Sequence, residues 1–260
     1  MTDTFPRAIL FDLDETLAES FQPPTPAMLD RFERLLAIVP TAIITGGSYL
    51  RIEHDFLSVL RAHANLSNLF LFPNSSAECF LFKNESWGLE YSIGALTPEE
   101  KEHIIDTLLQ TVAEIPDFKD APFFGNRIID RGVQIAYTVV GLDAPQEIKM
   151  AWDPDRSKRL RFCEVLGAKL PDFEVLVGGA STVDVTRKGM DKAYGVQWLS
   201  KRLDIPVDQM LYIGDALFPG GNDYVVIPTG IHTQIVNGPE ETAKIIDELL
   251  TAAPNTPPLN

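Results

Sequence analysis

Ala8-Ile-Leu-Phe-Asp12-Leu-Asp14-Glu-Thr16-Leu17 decides the fold. Ala8 to Phe11 is a short, unbroken apolar run, the pattern of a strand buried on both faces. It stops at carboxylates, so the chain leaves the interior there. Working outward, Pro23-Pro-Thr25-Pro26 precedes Leu29, Phe32, Leu35, Leu36 and Val39 at helical spacing. Thr25 suits the N-cap of that helix and Pro26 its first position. Thr41-Ala-Ile-Ile-Thr45-Gly-Gly47 is a second buried strand running into a glycine turn. From Ser48 a helix is expected, with Ile52, Phe56 and Val59 or Leu60 on one face. Leu69 to Phe72 is a third strand. This alternation predicts right-handed crossovers and a parallel sheet, hence an α/β fold.

The rhythm then changes. Cys79 to Lys83 and the alternating Trp87, Leu89 and Tyr91 suggest antiparallel strands. Thr97-Pro-Glu-Glu100 is a capping box ahead of Ile104, Ile105, Leu108, Leu109 and Val112. Strands at 127–129 and 133–140 flank a turn at Asp130-Arg-Gly132. A helix over 155–170 and strands at 173–177 and 182–185 follow. The parallel pattern returns with a helix over 190–203, a strand ending in Gly214-Asp215, a strand at 231–236 and an amphipathic helix over 239–252. The polar tail 254–260 is expected to fray. The expected organisation is a core of residues 1–82 and 188–260, interrupted by an α+β unit over 83–187.

The 260 residues are 45% apolar and 23% charged, ordinary for a soluble globular chain. No run of about 18 apolar residues suggests a membrane span. Met1 to Arg7 lacks the basic and apolar regions of a signal peptide. Cys79 and Cys163 are far apart in apolar surroundings, so reduced thiols and a cytoplasmic location are expected. The net charge of −15 repels nucleic acid and anionic lipid. A small phosphorylated ligand would need a local positive site.

Four features fall at or just beyond the C-terminal ends of the parallel strands, the edge where open α/β sheets bind ligands. They are Asp12 with Asp14, Thr45, Lys192, and Asp215 with Asn222-Asp223. Two carboxylates two residues apart on a strand share a face and repel. A hard divalent cation such as Mg2+ relieves that repulsion. Asp12, Asp14, Asp215 and Asp223 are therefore the candidate metal ligands. Asp12 is the candidate nucleophile on phosphorus, and Asp14 the general acid and base. Thr45 and the Gly46 and Gly47 amides suit a phosphate cradle, with Lys192 neutralising phosphoryl oxygens. His54, His63, His103 and His232 form no ligand spacing. Arg156, Lys158, Arg159 and Arg161 suggest a solvated helix face, and Trp87, Trp152 and Trp198 suggest packing residues.

In this order the motifs resemble those of the haloacid dehalogenase superfamily of phosphotransferases. Asp12-Leu-Asp14-Glu-Thr16, Thr45, Lys192, and Gly214-Asp215 with Asn222-Asp223 match its four motifs. The unit inserted between the second and third is similar to the α+β cap of subclass IIB, on a Rossmann-like core. Gly214-Asp-Ala-Leu-Phe-Pro-Gly-Gly-Asn-Asp223 further resembles the fourth motif of eukaryotic-type phosphomannomutases, and Arg131-Gly-Val falls where their cap carries a substrate-binding arginine. The resemblance implies substrate contacts from Gly46, Gly47, Arg131, Lys149 and Asn222, and pairing of two chains through the cap. Three departures stand out. Gly141-Leu142 replaces Gly-Arg, Lys149 replaces a second arginine, and Glu15 replaces the glycine after D-x-D. Arginine grips phosphate with two parallel bonds, lysine does not, and leucine does neither. The expectation is therefore a magnesium-dependent phosphatase acting on a small phosphorylated metabolite, a sugar phosphate. A phosphomannomutase is the alternative, and a catalytically silent binding module a remote third.

Overall fold

A computed structural model describes residues 5–20, 22–61 and 64–253. His63 and the tail 254–260 lie outside the described residues, as do residues 1–4. The chain forms two compact units, residues 1–91 with 191–260, and residues 92–190.

The first unit opens with β1 (Ala8–Phe11), α1 (Pro26–Leu36), β2 (Thr41–Ile44), α2 (Tyr49–Asp55), β3 (Leu69–Phe72), β4 (Glu78–Lys83) and β5 (Ser86–Ser92). The second unit follows with α3 (Pro98–Glu114), α4 (Pro116–Lys119), β6 (Ile128–Asp130), β7 (Gln134–Thr138), α5 (Gln146–Trp152), α6 (Ser157–Lys169), β8 (Phe173–Val177) and β9 (Thr182–Arg187). The chain then returns with α7 (Lys192–Leu203), β10 (Met210–Gly214), β11 (His232–Ile235) and α8 (Pro239–Ala252).

The first unit's sheet has seven strands in the order β11-β10-β1-β2-β3-β4-β5. The pairs from β11 through β3 are parallel, and β4 joins β3 antiparallel. The middle of its five parallel strands is β1, buried along its whole length. Ile9 and Phe11 enter one core with Phe32 and Leu35 of α1, Ile52 of α2 and Ile246 of α8. Ala8 and Leu10 enter another with Val196 and Leu199 of α7. Alternate residues thus feed opposite cores, as a sheet covered on both faces requires. Thr25 caps α1 as expected, accepting from the Met28 N–H at 3.2 Å.

The expected boundary at 82/83 shifts to 91/92. β5 joins the large sheet, so residues 83–91 belong to the first unit. The helix expected to run on from Ser48 is also shorter. α2 ends at Asp55, and a 3₁₀ turn at Leu57–Val59 follows.

The second unit has a four-stranded antiparallel sheet, β6-β7-β9-β8. Ile135 and Tyr137 of β7 and Val183 and Val185 of β9 pack with Leu108 of α3 and Phe162 and Leu166 of α6. Gln134 and Asp184 take the opposite side, by strand alternation. Thr97 and Glu100 form the expected capping box, with N–H···O distances of 3.2 and 2.8 Å.

The helix expected over 155–170 begins at Ser157, and α5 precedes it. Arg159, placed on a solvated face by its charge, is buried. It is spaced three and seven residues from Phe162 and Leu166, so it lies on the apolar stripe of α6. Among the described residues, no helix is long and apolar enough to cross a membrane.

Candidate active site

The carboxyl ends of β1, β2 and β10 assemble the site. Lys192 is the first residue of α7, where a cation opposes the helix dipole. Asp191 caps the same end, accepting from the Ala193 and Tyr194 N–H groups at 2.9 and 3.2 Å. The ammonium is held by carboxylates: Nζ lies 2.6 Å from Asp12 Oδ1 and 2.6 Å from Asp223 Oδ1. All three side chains are buried.

Asp223 is fixed further by the Tyr212 hydroxyl, which donates to Oδ1 at 2.6 Å, and by the Ala216 N–H, which donates to Oδ2 at 3.0 Å. This approach requires glycine at 214, because a Cβ there would fall on the Asp223 carboxylate. Asp215 completes the group. One oxygen from each of Asp12, Asp215 and Asp223 lies within 4.8 Å of the others.

Negative charge exceeds positive charge in this cluster. Burial pushes the Asp12 carboxyl well above the usual carboxylate range; Lys192 opposes the shift, and Asp223, Asp215 and Asp14 reinforce it. Burial acts to lower Lys192, but Asp12 and Asp223 outweigh it and hold the ammonium charged. Burial, then Asp223, keeps the Tyr212 hydroxyl protonated. Three carboxylates that bring one oxygen each this close together are the hard donor set a divalent cation takes.

Asp14 departs from its expected place among the metal ligands. Its carboxylate is forked by the guanidinium of Arg51 on α2, with Nη1 2.7 Å from Oδ2 and Nη2 bonded to Oδ1. It is not part of the three-carboxylate group. Glu15 follows with φ at 55°, the left-handed region that glycine enters without strain. That backbone requirement accounts for the glycine usual at this position. Here Glu15 Oε1 accepts from the Ser20 N–H at 2.9 Å.

Thr45 and Gly47 form a tight turn at the end of β2, with the Gly47 N–H donating to Thr45 Oγ1 at 3.0 Å. A second turn braces it. The Asn74 N–H donates to the Gly47 carbonyl at 2.8 Å, and the Ser75 N–H to the Thr45 carbonyl at 2.9 Å. Gly46 and Asn222 are half-buried at this edge.

In the second unit, Arg131 donates to Gln134 Oε1 at 2.7 Å and lies 4.0 Å from Asp184. Lys149 Nζ donates to the Leu142 carbonyl at 2.7 Å. Gly141 has φ at 88°, and a Cβ there would strike the Phe124 backbone, so glycine is obligatory. Leu142 next to it is half exposed.

Sequence reasoning missed Arg51, Tyr212 and Asp184. Signals existed: an arginine one turn beyond the glycine pair, a hydroxyl in an apolar strand, and an acid in the alternating run Thr182 to Val185. The histidines are not in the cluster. His54 and His103 are exposed, as is His232, and no histidine joins a potential metal group among the described residues. Trp198 packs on Phe72 and Trp152 on Phe118, as expected.

Comparison with known proteins agrees with this geometry. The sequence model described as eukaryotic phosphomannomutase matches residues 28–252. A probable phosphomannomutase of Caenorhabditis elegans is 28% identical over 93% of this chain and 94% of its own length. The phosphomannomutase of Schizosaccharomyces pombe is 27% identical over 92% of each. Among solved structures, IMP-bound Plasmodium falciparum IMP-nucleotidase superposes with a TM-score of 0.70 at 17% identity, over 95% of this chain and 68% of that one. That likeness concerns the fold alone. With the four motifs gathered at one sheet edge and a family match across most of its length, the chain belongs to the eukaryotic phosphomannomutase family, within the haloacid dehalogenase superfamily, and is an enzyme acting on phosphate esters.

Proposed function

We propose that the protein is a hexose-phosphate mutase of the phosphomannomutase kind, working through a phosphorylated Asp12. The observation that carries the reading is the buried Asp12–Lys192–Asp223 group beside Asp215, in a chain matched by that family across 28–252. The relatives named above are phosphomannomutases, which favours this reading over the phosphatase expected from sequence.

In this mechanism an Asp12 oxygen attacks phosphorus, and the ester P–O bond breaks. Asp14 gives its proton to the departing sugar oxygen. The phosphoryl group on Asp12 then passes to the free hydroxyl of a sugar monophosphate, whose proton Asp14 takes; this frees Asp12 and gives a bisphosphate that turns round and returns its other phosphoryl group to Asp12. Lys192 fixes the Asp12 carboxylate, and the Thr45–Gly47 turn receives phosphoryl oxygens. Asp12, Asp215 and Asp223 would hold Mg2+, which when bound would neutralise clustered carboxylate and phosphoryl charge. The second unit would supply Arg131 and Lys149 toward a distal phosphate.

The phosphatase reading keeps one specific support, Leu142 where the family carries arginine, with Lys149 turned to the Leu142 carbonyl. If water attacks in place of the sugar hydroxyl, the same residues hydrolyse the ester. Incubating mannose and glucose 1- and 6-phosphates with a bisphosphate activator, and scoring both free phosphate and isomer, decides between them. Isomer is expected to dominate; phosphate alone installs the phosphatase. For the metal, Asp215→Ala should weaken the magnesium response at least tenfold, while the exposed control Asp155→Ala leaves it unchanged. Equal titrations would remove Asp215 from the ligand set.

Pairing of two chains through the second unit is part of the proposal. That unit exposes Leu109, Phe123 and Phe124, an apolar surface a second copy would cover. Sedimentation of the protein as a monomer at all concentrations would remove this element.

A further inference from the structure

We infer that Arg51 is a phosphate-binding residue shared by exchange with Asp14: substrate phosphate at the Thr45–Gly47 turn competes with the Asp14 carboxylate for one guanidinium. The inference rests on the phosphoryl-transfer reading and concerns how that same site is set.

Arg51 lies in the first turn of α2, just past Gly46-Gly47-Ser48. Its Nε bonds Asp55 Oδ2 at 3.4 Å, one turn on, which sets the plane of the guanidinium. Both terminal nitrogens face Asp14. The side chain also lies over the cradle. A Cβ built on Gly47 would sit 3.3 Å from Arg51 Cδ, 3.6 Å from Nη1 and 3.4 Å from Thr45 Oγ1. One cation therefore borders both the proposed proton carrier and the proposed phosphate turn.

Charge makes this placement consequential. The edge gathers Asp12, Asp14, Asp215 and Asp223, so an incoming phosphate meets strong repulsion. Lys192 is buried and held by two carboxylates. Arg51 keeps 19% of its side chain exposed, and arginine matches phosphate with the same two-pronged geometry it now offers Asp14. α2 is seven residues long, so its dipole contributes little beside a full positive charge.

The exchange also serves the chemistry. A carboxylate with both oxygens accepting from a guanidinium is poorly arranged to carry a proton to a leaving group. Transfer of the guanidinium to phosphate releases Asp14 when substrate is in place, so binding and proton transfer are coupled.

The test is a double-mutant cycle read by calorimetric titration of inorganic phosphate into the magnesium-supplemented full-length protein. Arg51→Met should weaken phosphate binding by about tenfold or more, the loss of one charge-assisted contact. Asp14→Asn should tighten binding severalfold with Arg51 present, and by clearly less in the Arg51→Met background. That interaction term separates exchange from simple repulsion, which would act equally in both backgrounds. Unchanged affinity in Arg51→Met, or an equal Asp14→Asn effect in both backgrounds, overturns the inference. Should Arg51→Met fail to fold, Arg51→Lys, which keeps charge without the fork, takes its place. Intermediate affinity is expected of it, and wild-type affinity overturns the inference. Retained turnover by folded Asp12→Asn, or no phosphate binding by the unmodified protein, would instead defeat the phosphoryl-transfer reading itself.

Discussion

Lys192 in the first unit and Arg159 in the second are the two buried cations among the described residues, and they are satisfied differently. Arg159 Nε meets Asp153 Oδ2 at 2.8 Å, and its terminal nitrogens donate to the Gly178, Gly179 and Asp153 carbonyls. Asp153 in turn accepts from the Lys158 and Arg159 N–H groups. Charge and hydrogen bonds both close, so this pair can join α6 to the strand end and do little else. Lys192 sits between two carboxylates with a third beside them, leaving net negative charge inside the fold. A buried cation whose partners are complete is a structural joint. One whose partners outnumber it marks a place built to receive further positive charge.

The sharpest way to break this contrast is Asp12→Asn. An amide is a poor nucleophile, so turnover should fall by about 10⁴-fold or more while circular dichroism stays native. Near-normal turnover by the folded variant would refute the covalent route.

Arg159→Met and Lys192→Met should part company. Removing one member of a closed buried pair leaves its partner charged and unsatisfied, so Arg159→Met should lose about 3–5 kcal/mol in urea unfolding. Its turnover per folded molecule should stay close to the parent. Lys192→Met should lose turnover while stability changes less, because it also removes a positive charge that Asp12 can offset by taking a proton. Equal profiles for the two variants would erase the distinction.

Asp184 sharpens the contrast within the second unit. Burial pushes its carboxyl up to about 6, against the pull of Arg131 and Arg159, and Oδ1 has no hydrogen-bond partner. An unfolded aspartate titrates near 4, so the folded state binds the proton more tightly. This contribution is fully present below about pH 4 and is lost as pH rises through about 6. Asp184→Asn should therefore match the parent near pH 4 and exceed its stability by ~3 kcal/mol above about pH 7. A stability difference that does not vary with pH would reject the assignment.

The smallest expected effect is that of Leu142→Arg. A guanidinium here adds one charge-assisted contact to a distal phosphate, so the ratio of isomerised to hydrolysed product should rise by roughly tenfold. No change in the ratio would mean that position 142 does not meet the substrate.

Much of this was legible in the sequence because local patterning and tertiary demand coincide. The run Ala8 to Phe11 is apolar at every position because both faces of β1 are covered. Thr25 and the Thr97–Glu100 box cap helices through contacts three residues apart. The parallel order of the central strands follows from alternation of strand and helix. Asp12, Thr45 and Asp215 directly follow the apolar strands β1, β2 and β10, where a run buried on both faces gives way to polar residues.

The errors fall where distance along the chain hides the partner. Alternation over residues 83–91 announces a strand without saying which sheet it joins, and β5 joins the large one. The charge of Arg159 suggests solvent, while its place on the Phe162–Leu166 stripe and its pairing with Asp153 bury it. The spacing of Asp14 from Asp12 points to a shared metal and says nothing of a side-chain partner far along the chain. In the fold the Asp14 carboxylate accepts from Arg51, 37 residues on.

The sequence by itself determined the strands, most helices, their caps and the identity of Asp12, Thr45, Lys192, Asp215 and Asp223, since these rest on local periodicity and on where a buried strand must end. Only the tertiary structure decided that Lys192 spans 180 residues to reach Asp12, that Tyr212 secures Asp223, and that Arg51 claims Asp14. Pairings of this kind are chosen by which charges the folded chain brings within about 3 Å in a medium of low dielectric. No pattern of neighbours along the sequence encodes that choice.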